Sequence, residues 1–402
     1  MTQTNRLQES LQPHSKIYLD YAASAPMRPL ASEMFAHYAQ EYFQGSNPYS
    51  VHEFGKQERQ LLERARKQIA AALGVHPQEI YFCSGGTEGD NLCLQGLARG
   101  ARAHDPRRTK VLISSIEHSA IAHQKSYLSA EGFDVQEIPV DGEGYVLVEA
   151  LKAMLDDTVA LVSIMAVNNE TGTIQPTDEC SRLAHDSGAA FHSDMVQAYM
   201  RTPVDLSSID SVTIAGHKIG APHGTGAFYL KRGVPYEKVM HGGIQESGIR
   251  PGTPNAIGAA ILGELSQQLS KTMKEREEAT KRKALLLVDY IRSHTSHIRT
   301  TLTDFEGEPH VFEIVSLVVP GVNKQMMVLA LDEQGYEISS GSPCDNQQDQ
   351  PNHVLVAMKR PADEAHSCIR VSFDERVPDA DILAFAEVLT ATAETLLKQG
   401  HL

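Results

Sequence analysis

The chain has 402 residues, of which 41% are hydrophobic and 22% are charged, so it has the composition of a globular protein long enough for two or three domains. Its formal net charge of -15 argues against a surface that binds nucleic acid or anionic membranes, since both need basic patches. The first residues lack the apolar core of a signal peptide, and no apolar run could span a bilayer, so we expect a cytoplasmic protein without membrane contacts.

The N-terminal two thirds of the sequence predict strands that alternate with helices. The expected order is a strand over 16–23, helices over 29–42 and 52–73, a strand over 80–83, a helix from about Glu88, and further strand and helix pairs as far as a strand over 212–214. Such alternation is typical of a mostly parallel sheet with helices on both faces. Ligands of these sheets bind beyond the carboxyl ends of the strands.

Several polar residues stand where these strands end. They are Thr87, His118, Asn168, Asn169, Asp194, Gln197 and Lys218. The bend before Thr87, Ser-Gly-Gly-Thr, offers backbone N–H groups and a helix N-terminus, which is a ready anion site. Lys218 follows a β-branched run and is flanked by glycines, and lysine is the side chain that bonds covalently to carbonyl cofactors.

The last third of the sequence predicts a smaller α+β unit. A polar helix over 266–293 leads to strands at VFEIVSLVVPG and CIRVSF, a helix over 326–331 and a closing helix over 379–398. We expect a large α/β domain over 29–264 and a small α+β domain over 1–28 and 265–402.

The five cysteines show no C-x-x-C pairing and no zinc-like spacing, so we expect free thiols and no metal site. Four of them stand in apolar contexts: Cys83, Cys93, Cys180 and Cys368. Cys344 differs because it lies in a turn rich in glycine and serine, ahead of a polar stretch. That setting favours an exposed and reactive thiolate.

The strand-end residues lie in motifs that resemble one family. The motifs are SGGTEGDN at Ser84, EHSAI at Glu117, VNNETG at Val167, FHSDMVQ at Phe191, GHKIGAPHGTGA at Gly216, GIRPGTPN at Gly248 and SSGSPC at Ser339. From YLDYAASAP at Tyr18 to RVSF at Arg370, the chain resembles the class V aminotransferases of fold type I, and among them the NifS/IscS cysteine desulfurases. These enzymes use pyridoxal 5'-phosphate (PLP).

The resemblance implies a cofactor site. Lys218 would hold PLP covalently, Asp194 would pair with the pyridinium nitrogen, Gln197 would face the ring hydroxyl, and His118 would stack on the ring and move protons. Gly86, Thr87 and His217 would bind the phosphate. Thr253 would reach the phosphate of a neighbouring subunit, which implies a homodimer.

The resemblance also implies a reaction. Arg370 would bind the carboxylate of L-cysteine, with Asn47 and Asn169 as orienting groups. Cys344 would attack the substrate sulfur, leaving L-alanine and a persulfide that passes to a protein sulfur acceptor, whose identity and pathway the sequence leaves open.

The sequence departs from the family pattern at several positions, none of which removes a catalytic group. Ala215 replaces a serine or threonine before Gly-His-Lys, so we expect one phosphate hydrogen bond to be missing. Pro343 and Asp345 flank Cys344, and Asp345 should raise the pKa of the thiol. Pro251 and the run from Phe373 to Glu375 are further departures.

Two other readings stay open at this point. The first is another PLP enzyme of the same fold, such as a selenocysteine lyase, a cysteine β-lyase or an aminotransferase, for which Cys344 would be dispensable. The second is a partner-binding protein that keeps PLP only as a structural element.

Overall fold

The computed structural model describes residues 16–41, 46–341 and 350–400. Cys344 and its neighbours Pro343 and Asp345 lie outside the described residues, so the predictions made for them remain predictions. The strands that the structure describes form one large sheet and two small ones.

The large sheet has seven strands and carries the candidate site at one edge. In spatial order it contains β2 (Ile80–Cys83), β8 (Gly226–Leu230), β7 (Ser211–Ala215), β6 (Ala190–Asp194), β5 (Val159–Ser163), β3 (Lys110–Ser114) and β4 (Asp134–Ile138). β8 runs in the direction opposite to the other six strands of this sheet, which are parallel to one another. All residues of β5, β7 and β8 are buried, as expected of strands covered on both faces. The predicted mostly parallel sheet is confirmed.

Helices cover both faces of this sheet. They span Pro29–Glu41, Glu53–Leu73, Gly86–His104, Ser119–Ala122, Gln124–Ala130, Val148–Met154, Thr177–Asp186 and Ala256–Lys271. The helix Glu53–Leu73 ends as predicted at Gly74, whose φ of 71° is the left-handed conformation that glycine adopts most readily. The helix Gly86–His104 begins two residues before the predicted Glu88, directly after the glycine bend.

A second hydrophobic core lies in the C-terminal part. Its antiparallel sheet contains β9 (Arg299–Thr300), β10 (Ile314–Val318) and β12 (Cys368–Ser372), and the helices Met273–His294, Lys324–Glu333 and Asp379–Gln399 contribute to this core. The short helices His353–Ala357 and Ala362–Ser367 instead contribute Val354, Leu355 and Ala365 to the core around the large sheet. No helix among residues 16–41, 46–341 and 350–400 has the length and apolarity needed to cross a membrane.

The single helix predicted over 266–293 was wrong. The chain forms two helices that are separated at Thr272, whose ψ of 13° is not helical. The break has a packing cause, because Leu269 belongs to the core around the large sheet and Leu287 belongs to the C-terminal core. A single straight helix could not pack against both cores.

The N-terminal segment joins the two cores. Its strand β1 covers only Ile17–Tyr18 and pairs in parallel with β11 (Tyr336–Glu337). The predicted strand over 16–23 is shorter because the chain then turns towards the large sheet. The amide of Ala25 donates to His217 O at 3.0 Å, and the guanidinium of Arg28 forms ion pairs with Asp374 and Glu375, 3.2 and 2.7 Å away.

Candidate active site

A cavity of about 230 Å³ lies at the carboxyl ends of β6 and β7. Its walls bring together most of the predicted site residues, namely Gly86, Thr87, His118, Asn169, Asp194, Gln197, His217, Lys218 and Arg370. Ala22, Ala23, Asp90, Met165, Val167, Val196 and Ala215 complete the lining. The topology explains this convergence, because the ends of parallel strands meet at one edge of the sheet.

Lys218 ends a short 3-10 turn that follows β7. Its Nζ donates hydrogen bonds to Ala22 O at 2.6 Å and Ala23 O at 2.8 Å, both in the N-terminal segment. Burial, reinforced by the nearby Arg370, lowers the pKa of the Lys218 amine to about 7. A large share of the amine is therefore neutral near physiological pH.

Asp194 is the last residue of β6, and its side chain is 5% exposed. Its Oδ1 accepts a hydrogen bond from the Val196 amide at 2.7 Å. Burial, with a contribution from Asp90, raises the pKa of Asp194 to about 8. Gln197 stands beside it, where Nε2 donates to Ala22 O at 2.9 Å and Oε1 accepts from Arg201.

The N-terminus of the helix Gly86–His104 opens into the cavity through Gly86 and Thr87. A Cβ atom on Gly86 would lie only 2.9 Å from Cγ2 of Val196, so the close approach of these two cavity walls requires glycine. His217 lines the same cavity, and burial lowers its pKa to about 3. Ala215 lines it as well, and its methyl group can donate no hydrogen bond to a bound group.

His118 caps the short helix Ser119–Ala122. Its Nδ1 accepts a hydrogen bond from the Ala120 amide at 3.1 Å, which leaves the ring proton of the neutral form on Nε2. Burial lowers the pKa of His118 to about 4, so the ring is neutral across the physiological range.

Arg370 in β12 contributes the charged wall of the cavity and is only 2% exposed. Its Nη1 donates to Asn169 O at 2.9 Å and Glu170 Oε1 at 3.1 Å, and its Nη2 donates to Asp20 Oδ1 at 2.9 Å. Its Nε is buried and has no partner among the described residues, and the same holds for Oδ1 of Asn169. A fixed guanidinium with an unused donor can bind a carboxylate.

Of the predicted site residues within the described parts of the chain, two do not line this cavity. The side chain of Asn47 accepts a hydrogen bond from the Tyr49 amide at 2.9 Å, within its own exposed turn. Thr253 lines a separate cleft with Arg250 and Thr225. The chain as a monomer therefore does not bring either residue to Lys218, and their predicted roles stay predictions.

The sequence reasoning missed three acidic residues of the site. Asp20 and Glu170 hold Arg370, and Asp90 lines the cavity itself. Asp90 could have been found, since it lies one helical turn beyond Thr87 and residues three apart share a helix face. Asp20 and Glu170 stood inside the quoted motifs YLDYAASAP and VNNETG, but nothing in their spacing pointed to an arginine.

Comparisons with known proteins show what the whole chain is similar to. The profile of the family described as aminotransferase class-V matches residues 17–385. The "Cysteine desulfurase IscS" of Methanosarcina thermophila is 34% identical over 390 residues, which are 96% of this chain and 94% of the relative. A solved "NIFS-LIKE PROTEIN" superposes with a TM-score of 0.86 at 28% identity, over 95% of this chain and 100% of the other. The structure "SspA in complex with cysteine" gives a TM-score of 0.77 at 27% identity, over 89% and 98% of the two chains.

Proposed function

Because the chain belongs to the aminotransferase class-V family and to its cysteine desulfurases, we propose that it removes sulfur from L-cysteine with PLP bound at Lys218. The products are L-alanine and a persulfide on Cys344, which passes to a protein sulfur acceptor. The observation that carries the proposal is the cavity that places Lys218, Asp194 and a helix N-terminus around one space.

The residues of this cavity fit PLP. Asp194 is a buried carboxyl group with no cationic hydrogen-bond partner among the described residues, and a protonated pyridine nitrogen is the partner that would stabilise its charge. Gly86 and Thr87 offer the N-terminus of a long helix to the phosphate. Lys218 offers an amine whose lowered pKa favours attack on an aldehyde.

Arg370 and Asn169 support an amino-acid substrate. Hydrogen bonds to Glu170 and Asp20 fix the orientation of the Arg370 guanidinium. Its buried Nε has no partner among the described residues and can donate to a substrate. It binds the carboxylate of L-cysteine and thereby holds the substrate in the cavity that Lys218 also lines.

Protons are moved by Lys218 and His118. When bound, the pyridoxal ring withdraws electrons from the substrate α-carbon. The neutral Lys218 amine would accept the α-proton, and His118, neutral with its proton on Nε2, would exchange a proton with a group bound in the cavity.

The described residues that precede Cys344 support its role as acceptor of the substrate sulfur. Ser339, shortly before Cys344, exchanges two backbone hydrogen bonds with Arg370, of 3.1 and 2.8 Å. The chain therefore enters the Cys344 segment beside the residue that binds the substrate carboxylate. The other four cysteines are buried, and burial raises the pKa of each thiol, so they are poor nucleophiles. Four free buried thiols also support a reducing, cytoplasmic location.

A homodimer accounts for the residues that do not reach the cavity. Val51 and Ile244 are large apolar residues that are 87% and 79% exposed, on two loops joined by the hydrogen bond from the Glu246 amide to Tyr49 Oη at 2.9 Å. The loop that carries Ile244 also carries Thr253. A second copy of the chain would cover these apolar side chains and would receive Thr253 at its own phosphate site.

The test is to incubate the PLP-loaded protein with L-cysteine without reductant and to map the products by intact mass and peptide mass spectrometry. We expect one added sulfur atom on Cys344 and an equal amount of L-alanine. Cys344→Ser should abolish the adduct, and Cys180→Ala, which removes a buried thiol, should leave it. Turnover that does not depend on Cys344 would replace the desulfurase proposal with a lyase or an aminotransferase.

A further inference from the structure

A buried acidic residue, Asp90, lines the cavity but has no part in the reaction described above. It lies on the helix Gly86–His104, is 1% exposed, and its Oδ1 is 3.3 Å from Nε2 of His192. His192 is fully buried in β6, and its Nδ1 is 2.7 Å from Ser211 Oγ. A hydrogen-bonded string of three side chains therefore lies beside the cavity.

One oxygen of Asp90 is unused. Oδ2 is buried and makes no hydrogen bond of standard geometry within residues 16–41, 46–341 and 350–400, where the Thr213 hydroxyl is the polar group that interacts with Asp90 besides His192. Leaving a buried carboxyl oxygen unpaired is unfavourable, so such an atom in a cavity wall indicates interaction with a bound group. His192 precedes Asp194 by two residues on the same strand, and their side chains point to the same face of the sheet. Asp90 thus acts next to the carboxyl group that pairs with the pyridine nitrogen.

We propose that Asp90 is a positioning residue for the cofactor ring: held by His192, it adds negative charge beside Asp194 and so favours the protonated pyridine nitrogen. The inference rests on the proposed PLP site and extends it. Asp90 would act on the ring through its negative charge, whereas Asp194 would form the direct ion pair with the pyridine nitrogen.

The other titratable groups around Asp90 do not supply this charge. Burial raises the pKa values of Glu117 and the Cys93 thiol well above their usual ranges, which favours the neutral form of each. Burial lowers the pKa of His192 to about 4, which keeps the imidazole neutral. Burial raises the pKa of Asp90 to about 7 and that of Asp194 to about 8. A positive charge bound in the cavity would lower both pKa values and so favour the two carboxylates near neutral pH.

The experiment compares the binding of two ligands to the apoprotein. One is PLP, and the other is its 1-deaza analogue, in which a C–H group replaces the pyridine nitrogen. We expect Asp90→Asn to weaken PLP binding about ten-fold and the binding of the analogue less than about two-fold, because only PLP presents a charged ring to the missing carboxylate.

Asp210→Asn is the matched control. Asp210 is likewise buried and paired with a histidine, His185 Nε2 at 2.7 Å, but it does not line the cavity. It should change neither affinity. His192→Gln is a second test variant. Like Asp90→Asn, it should weaken the binding of PLP more than the binding of the 1-deaza analogue, so the proposal can still be tested if one of the two variants does not fold.

The stability of the apoprotein separates this role from a structural one. Asp90→Asn removes a buried acid, so we expect the apoprotein melting temperature to stay unchanged or to rise. Equal loss of affinity for both ligands, or no loss for PLP, would overturn the inference about Asp90. A wild-type protein that forms no covalent PLP adduct at Lys218 would instead overturn the proposed function.

Discussion

A lysine amine can attack the aldehyde of a cofactor only in its neutral form, and the surroundings of Lys218 favour that form. The lowered pKa of about 7 predicts that PLP capture by the apoprotein accelerates as pH rises through about 7 and then levels off. The sign follows from the charge, since the amine loses its proton above its pKa. Stopped-flow absorbance over a range of pH measures this rate. A rate that keeps rising towards pH 10, as for a solvated lysine, would contradict the role given to burial.

Ala215 tests the phosphate end of the cavity. Ala215→Ser restores a hydroxyl group in the cavity wall, and a hydrogen bond to a charged group contributes roughly 1.5–3 kcal/mol. We expect PLP to bind at least about ten-fold more tightly, as measured by equilibrium titration of the apoprotein. Unchanged affinity would show that the phosphate does not approach position 215.

The sequence allowed most of the cavity lining to be predicted, because strand ends in a parallel sheet converge by geometry. Asp194 and Lys218 follow from this rule without knowledge of the packing. Asp20 does not, because its contact with Arg370 joins residues 350 positions apart in sequence. Asp90 points inward from a helix whose start the sequence placed two residues too late.

At the scale of elements, the first residue of the helix Gly86–His104 lies too close to Val196 to carry a side chain without a shift. Gly86→Ala would force a Cβ atom to within 2.9 Å of Val196 Cγ2, so we expect the free energy of unfolding to fall by about 1–2 kcal/mol and PLP binding to weaken. Gly142→Ala is the control, because a Cβ atom there meets nothing within 4 Å. Chemical denaturation and PLP titration of both variants provide the comparison. Equal stability of the two variants would show that this contact is easily relieved.

Elements with a strong local signal could be predicted closely, and those set by tertiary contacts could not. The helix Glu53–Leu73 follows from its apolar periodicity and Gly74. The break at Thr272 has no local signal, since neither glycine nor proline marks it, and it follows only from the change of core between Leu269 and Leu287.

At the scale of the whole molecule, the proposed homodimer makes a complementation experiment possible. Lys218→Ala and Thr253→Ala subunits should each form inactive or weakly active homodimers. A hybrid dimer would contain one complete site, built from the intact Lys218 of one subunit and the intact Thr253 of the other. We expect about half of the wild-type activity for each hybrid dimer. Hybrids no more active than the Thr253→Ala homodimer would show that Thr253 serves its own subunit.

The N-terminal segment has a consequence for the biosynthesis of the protein. The carbonyl groups of Ala22 and Ala23 hold the Lys218 amine, while β1 pairs with β11 and the amide of Ala22 donates to Ser372 Oγ at 2.9 Å. The first strand to leave the ribosome must therefore wait for residues made more than three hundred positions later. In a nascent or truncated chain these carbonyl groups cannot be held next to the Lys218 amine. The complete cavity can therefore form only when synthesis of the chain is nearly finished.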